Sequence, residues 1–95
     1  MNANQAETVA GLLKALADPV RLRLMSLIAA ADEACVCDLT AAFAVSQPTI
    51  SHHLRVLRES GLVDAERRAT WVYYRARRPA LDALGGLFTA TLACR

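Results

Sequence analysis

Aromatic residues are scarce: one Trp, two Tyr and two Phe make up 5% of 95 residues. Sandwiches and barrels draw on aromatic and β-branched residues for their strands, so an all-β fold is disfavoured. Abundant alanine and leucine favour helices instead. No apolar run approaches the roughly 18 residues a membrane span needs. The opening Met1-Asn2-Ala3-Asn4-Gln5 has neither the basic start nor the apolar core of a secretory leader. A cytoplasmic location without a membrane partner is therefore expected. Cysteine is present only as Cys35, Cys37 and Cys94, an odd set that excludes a disulfide framework and reads as reduced thiols. A strong charge imbalance is also missing, since the net charge is +2.

At 55% hydrophobic and 21% charged, the chain is globular, and its length allows a single core. The charge is unevenly placed. Residues 1–45 hold three basic groups (Lys14, Arg21, Arg23) against five acidic ones (Glu7, Asp18, Asp32, Glu33, Asp38). Residues 46–78 hold seven arginines (55, 58, 67, 68, 75, 77, 78) against Glu59, Asp64 and Glu66. A basic third in a near-neutral protein has the form of a nucleic-acid footprint, although a solvated face produces the same excess.

Hydrophobic spacing sets out the elements. Val9, Leu12, Leu13 and Leu16 define a first helix from about Gln5 to Ala17. Asp18 then caps a second, about Pro19 to Ala31, with proline in the first turn and Val20, Leu24, Leu27 and Ile28 directed inward. Asp32-Glu33-Ala34 reads as a polar break before a short third helix, Val36 to Phe43. After a three-residue connection, Ser46 caps a fourth helix that runs to Ser60, and Gly61 supplies the left-handed stop. Leu62 to Glu66 and Trp71 to Arg75 form a hairpin joined by Arg67-Arg68-Ala69-Thr70, which lacks the glycine or asparagine of a tight turn. Arg78-Pro79 opens a last helix to about Ala93, with Leu81, Leu84, Leu87, Phe88 and Leu92 on one face. Gly85-Gly86 within it costs roughly 1 kcal/mol per glycine, a penalty that a close backbone contact would offset. So much apolar surface on the two terminal helices assigns them to a homodimer interface.

The expected fold class is mainly α with a small β-hairpin: one winged helix-turn-helix domain over residues 1–95. Its helix-turn-helix spans about 36–60, its wing about 62–75, and its dimerisation helices about 5–17 and 79–93. At about 100° per residue, Ile50, Leu54 and Leu57 fall together on the fourth helix, while Pro48, His52 and Arg55 fall opposite. The exposed stripe is rich in hydrogen-bonding groups near the helix start, the end that a recognition helix presents to the major groove. Ser46, Gln47, Thr49, Ser51 and His52 are candidates for bases or phosphates, Arg55 and Arg58 for phosphates. Arg67 and Arg68 at the hairpin tip suit a wing that tracks the backbone or minor groove. His52 and His53 diverge on the helix and cannot chelate one ion together; His53 reads as a packed, hydrogen-bonded histidine.

Cys35-Val36-Cys37-Asp38 is the second signal. Two thiolates one residue apart select thiophilic ions such as As(III), Cd(II), Pb(II) or Zn(II). On a regular helix these positions point about 200° apart, whereas on an extended segment they share a side. Both sulfurs can hold one ion only if the start of the third helix is frayed or extended. Two cysteines filling a core are the plain alternative, and redox sensing by the pair is another. Cys94 is a candidate third ligand. A thiol enzyme is disfavoured, because no cysteine is followed by an oxyanion loop with arginine and no histidine neighbours one.

Taken together, Leu16-Ala17-Asp18-Pro19-Val20-Arg21-Leu22-Arg23, Cys35-Val36-Cys37-Asp38-Leu39-Thr40, Ser51-His52-His53-Leu54-Arg55-Val56-Leu57, Gly61-Leu62-Val63 and Trp71-Val72-Tyr73-Tyr74 resemble the ArsR/SmtB metalloregulators. These are bacterial winged-helix repressors that release operator DNA on binding a metal or metalloid. The resemblance covers about Leu12 to Leu92. It implies a homodimer on inverted-repeat operator DNA, paired through the first and last helices, with Cys35 and Cys37 as effector ligands. The chain departs from each branch of the family. Thr40 stands where the arsenic branch has a third cysteine, no cysteine precedes Cys35 as in the cadmium–lead branch, and the last helix offers Asp82 without the histidines of the zinc branch. Elimination among the branches favours As(III), with Cd(II) or Pb(II) as the alternative.

Overall fold

The computed structural model describes residues 1–93, with side chains to residue 88. Helix α1 (Ala3–Leu16) begins two residues earlier than its apolar spacing predicts, because Asn2 caps it. The Asn2 side chain accepts from the Gln5 N–H, and the Gln5 side chain accepts from the Asn2 N–H, each at 2.8 Å. This reciprocal pair satisfies two backbone donors that a helix start leaves free. Helix α2 (Pro19–Ala30) is capped as expected by Asp18, whose Oδ1 accepts from the Val20 and Arg21 N–H groups at 2.9 and 3.1 Å. The Arg21 N–H bond is the main cause that holds the Asp18 carboxyl below its ordinary range.

Strand β1 (Ala34–Cys35) follows, then α3 (Val36–Ala41), α4 (Gln47–Glu59), β2 (Val63–Arg68), β3 (Trp71–Ala76) and α5 (Arg78–Ala93). The strands form one antiparallel sheet in the order β1-β3-β2. The architecture is the expected winged helix-turn-helix, with local corrections. The polar break at residues 32–34 ends in a strand, because Ala34 and Cys35 pair with Tyr74 and Tyr73 of β3. Two residues carry too little period for a strand to be read from sequence. Helix α3 stops at Ala41 rather than Phe43, so five residues connect it to α4. Arg67 and Arg68 belong to β2 and pair with Val72 and Trp71, which leaves Ala69-Thr70 as the wing tip. Ala69 takes the left-handed conformation (φ 56°) that glycine or asparagine would adopt more readily.

The core lies where α2, α4 and the base of the wing meet; Leu24, Ile28, Ile50, Leu54, Leu57, Leu62 and Val63 are fully buried. Met25 joins them, whereas Leu27 is 40% exposed: at helical spacing Leu24, Met25 and Ile28 make the inward stripe. Likewise Ala15 is buried on α1 in place of Leu13, which is 42% exposed. On α5, Phe88 is 60% exposed, so the broad face read from sequence is only partly buried within one chain. A methyl group added at Gly85 or Gly86 would meet nothing within 4 Å, so no close approach among the described residues explains the pair. Among the described residues no helix is long and apolar enough to cross a membrane.

Gly61 ends α4 at φ +89°, with open space around its Cα. Alanine there would meet only backbone strain, of about 1–2 kcal/mol. Gly61→Ala is expected to lower the melting temperature by roughly 4–8 °C per kcal/mol for a domain of this size, read by circular dichroism.

Candidate functional site

Helix α4 buries Ile50, Leu54 and Leu57 completely, which fixes its rotation. Gln47, Thr49, Ser51, His52, Arg55 and Arg58 are all exposed: His52 and Arg55 lie opposite the buried stripe and the others flank it. The Ser46 hydroxyl caps the helix, accepting from the Thr49 N–H at 3.4 Å, and it also bonds the Thr49 hydroxyl at 2.9 Å. The structure thus leaves these predicted residues in solvent, with the positive end of the helix dipole at the Ser46–Gln47 start. His53 lies half-buried on the flank, its Nδ1 3.2 Å from an Arg21 Nη1 nitrogen. Arg21 also donates through Nε to the Ala15 carbonyl at 2.6 Å. One guanidinium therefore ties the end of α1 and the start of α2 to α4. The sequence carries no spacing signal for this link, since Arg21 and His53 stand 32 positions apart.

The arginines separate into two groups. Of the seven arginines at residues 46–78, Arg55, Arg58, Arg67 and Arg78 have no acidic partner among the described residues and are available to an anionic ligand. Arg75 and Arg77 pair with Glu66 and Asp64 at 3.1 and 3.4 Å. Arg68 is held most closely of all. Its two terminal nitrogens donate to both Glu33 oxygens at 2.6 and 2.8 Å, its Nε donates to Glu66 at 3.2 Å, and its plane lies 4.7 Å from the Tyr73 ring centroid. Arg68 depresses the Glu33 and Glu66 carboxyls below their ordinary range, chiefly through these hydrogen bonds. Such a depression stabilises the fold above the ordinary carboxylate range and is lost as pH falls through the lowered values. Glu33 carried no functional signal in the sequence, because its partner is 35 positions away.

Cys35 sits at the junction of β1 and α3 with extended backbone (φ −75°, ψ 141°), and Cys37 lies in the first turn of α3. Their sulfurs are 2.8 Å apart. The extended start that a shared ion requires is therefore in place. Cys35 is buried and Cys37 exposed, so the pair is anchored on one side and open on the other. The hydrogen bond to Cys35 raises the Cys37 pKa above the usual thiol value, helped by burial and the nearby charges of Cys35 and Asp38. The Thr40 hydroxyl is turned back on its own helix, donating to the Val36 carbonyl at 2.8 Å. Cys94 lies outside the described residues, and among those described no cluster of three or more His, Cys, Asp or Glu is suited to a metal.

Residues 18–65 match the family described as "Bacterial regulatory protein, arsR family". The chain is 51% identical over 74 residues to a "Transcriptional repressor SmtB homolog" of Synechocystis, covering 78% of this chain and 55% of that protein. It is 52% identical over 64 residues to the "Arsenic resistance transcriptional regulator ArsR1" of Pseudomonas putida, covering 67% of this chain and 50% of that one. The chain spans about half the length of these curated relatives. A crystal structure described as a "Possible transcriptional regulator for arsenical resistance" superposes with a TM-score of 0.74 at 38% identity, covering 85% of this chain and 82% of the other. Each relative is described as a regulator or repressor of transcription rather than as an enzyme.

Proposed function

This chain belongs to the arsR family of bacterial regulatory proteins, and from that premise we propose that it is an arsenite-responsive repressor. As a homodimer it holds an inverted-repeat operator and releases it when Cys35 and Cys37 capture As(III). The observation that carries the reading is the pair of sulfurs 2.8 Å apart at the β1–α3 junction. Two soft donors on one side of an extended segment suit a thiophilic ion and poorly suit a hard one. Cys35 and Cys37 would hold the ion as thiolates, each giving up its proton. For arsenite, each thiol proton leaves with one arsenite hydroxyl as water, so two As–S bonds form, two As–O bonds break and two waters are released.

The chain's own residues supply the rest. Gln47, Thr49, Ser51 and His52 would meet bases or phosphates from the start of α4, and Arg55, Arg58 and Arg67 would hold phosphates. Ser46 orders that helix start. Exposed Leu13 on α1 and Phe88 on α5 support a partner subunit across the terminal helices. Helix α3 packs against α4, so a change at its first turn would re-aim the reading helix. An ion that favours the altered turn shifts the population away from the DNA-binding shape by its differential affinity for the two.

The test is a titration of As(III), Cd(II), Pb(II) and Zn(II) into the protein bound to a duplex it has itself selected from a randomised library. Arsenite is expected to release the duplex at concentrations at which Zn(II) does not, from a complex whose affinity falls steeply with salt. Release by Cd(II) or Pb(II) with indifference to arsenite would move the assignment to those ions. Release by peroxide without any ion would favour a thiol-redox sensor.

A further inference from the structure

We propose that Glu33 and Arg68 form a clamp that couples the thiol pair to the wing, giving the effector a second route to DNA besides α3 and α4. The inference rests on the repressor reading above. Four residues close a small circuit. Cys35 of β1 pairs across the sheet with Tyr73 of β3. The Tyr73 ring lies beneath the guanidinium of Arg68, at the end of β2. Arg68 in turn grips both oxygens of Glu33, two residues before Cys35. Arg68 is also the last strand residue before the Ala69-Thr70 tip. A backbone change at Cys35 therefore reaches the wing tip through the β1–β3 pairing and through the Glu33 fork.

Stability does not account for the clamp. The two side chains are 43% and 32% exposed, and ion pairs this open contribute little to folding. A bidentate fork contributes geometry instead, because both nitrogens must meet both oxygens in one plane. It sets where the wing stands relative to the thiol strand. It also keeps Arg68 occupied, between Glu33 and Glu66, so phosphate contact from the wing falls to Arg67. Glu33 is thus a positioning residue: it touches neither the DNA nor the captured ion, and its effect passes through Arg68.

The coupling is measured as the ratio of duplex Kd with saturating arsenite to Kd without it. Wild type, Glu33→Gln, Arg68→Lys and the double variant are compared as full chains on the selected duplex. Arsenite capture is followed separately by the loss of free thiols. Both single variants are expected to capture arsenite with wild-type stoichiometry while the Kd ratio falls about threefold or more; the double variant should fall no further. Arg68→Lys keeps the charge but cannot make the fork, so it isolates geometry from electrostatics. A merely structural role would lower the melting temperature and leave the ratio unchanged, which would overturn the clamp. If the wild-type complex itself ignores arsenite, the repressor reading fails and the clamp with it. A variant ratio equal to wild type in a protein that does release DNA defeats the clamp alone.

Discussion

Leu54→Ala is expected to cost about 2–5 kcal/mol of folding stability, against a total on the order of 5–14 kcal/mol for a domain of this length. Leu54 has no exposed surface and sits in the cluster that includes Leu24, Ile28, Ile50, Leu57 and Leu62. Alanine would remove three carbons from a place where the surrounding helices are tied to one another and cannot close the gap. The consequence for function is direct, because the same residue orients α4. Its burial puts His52 and Arg55 on the outside. Urea unfolding followed by circular dichroism measures the loss as a lower midpoint at unchanged slope. Leu22→Ala is the matched comparison: Leu22 is 55% exposed, and the change there should lie within about 0.5 kcal/mol. Equal effects at the two positions would mean that the α4 stripe is not the centre of the core.

The periodic parts of this fold were open to reading from sequence. The α4 stripe repeats at helical spacing around a rigid cap and stop, Ser46 and Gly61, and each of those residues does locally what its chemistry dictates. The same holds for Asp18-Pro19 ahead of α2. What escaped depended on distance along the chain. Strand β1 exists because β3 offers it a partner, and two residues have no pattern of their own. Leu27 and Leu13 sit at positions that helical spacing alone would bury; only the neighbouring elements decide that Met25 and Ala15 take those places. The wing turn was obscured because Ala69 adopts a conformation its side chain disfavours.

The candidate site divides in the same way. The polar face of α4 follows from one helix's geometry, so its members were predictable as a group. The thiol pair was legible as a condition: both sulfurs on one side only if the chain is extended there, which Cys35 satisfies through β1. The sorting of arginines was not legible. Arg67 and Arg68 are adjacent in sequence and look equivalent, yet strand alternation sends them to opposite faces. One side holds two carboxylates and Tyr73; the other has no acidic partner among the described residues. A count of basic residues overstates the charge left open to an anionic ligand, because Glu33, Glu66 and Asp64 already hold Arg68, Arg75 and Arg77.

Cys37→Ser is expected to abolish arsenite-driven release while leaving duplex affinity without arsenite nearly unchanged. Couplings between ligand and DNA in such switches commonly amount to about 5–150-fold, and the variant's ratio should fall close to one. Cys37 is exposed and serine has nearly its shape, so the fold has little reason to respond. Its sulfur is nevertheless half of the chelate, and a hydroxyl is a hard donor that does not replace it. Cys35→Ser should abolish release too, but less cleanly. Cys35 is 8% exposed and faces Tyr73 across the sheet, and a hydroxyl there meets only the Cys37 sulfur, a weak hydrogen-bonding partner, so its poorly compensated burial costs about 1–3 kcal/mol. A lower melting temperature is therefore expected for Cys35→Ser and not for Cys37→Ser. Cys94→Ser completes the series. Wild-type release would assign the switch to two sulfurs, and weakened release would add a third from this chain or its partner. Full release by arsenite in a Cys37→Ser, Cys94→Ser double variant would remove the thiol pair from the mechanism, since Cys35 alone then has no second sulfur against which to alter the turn.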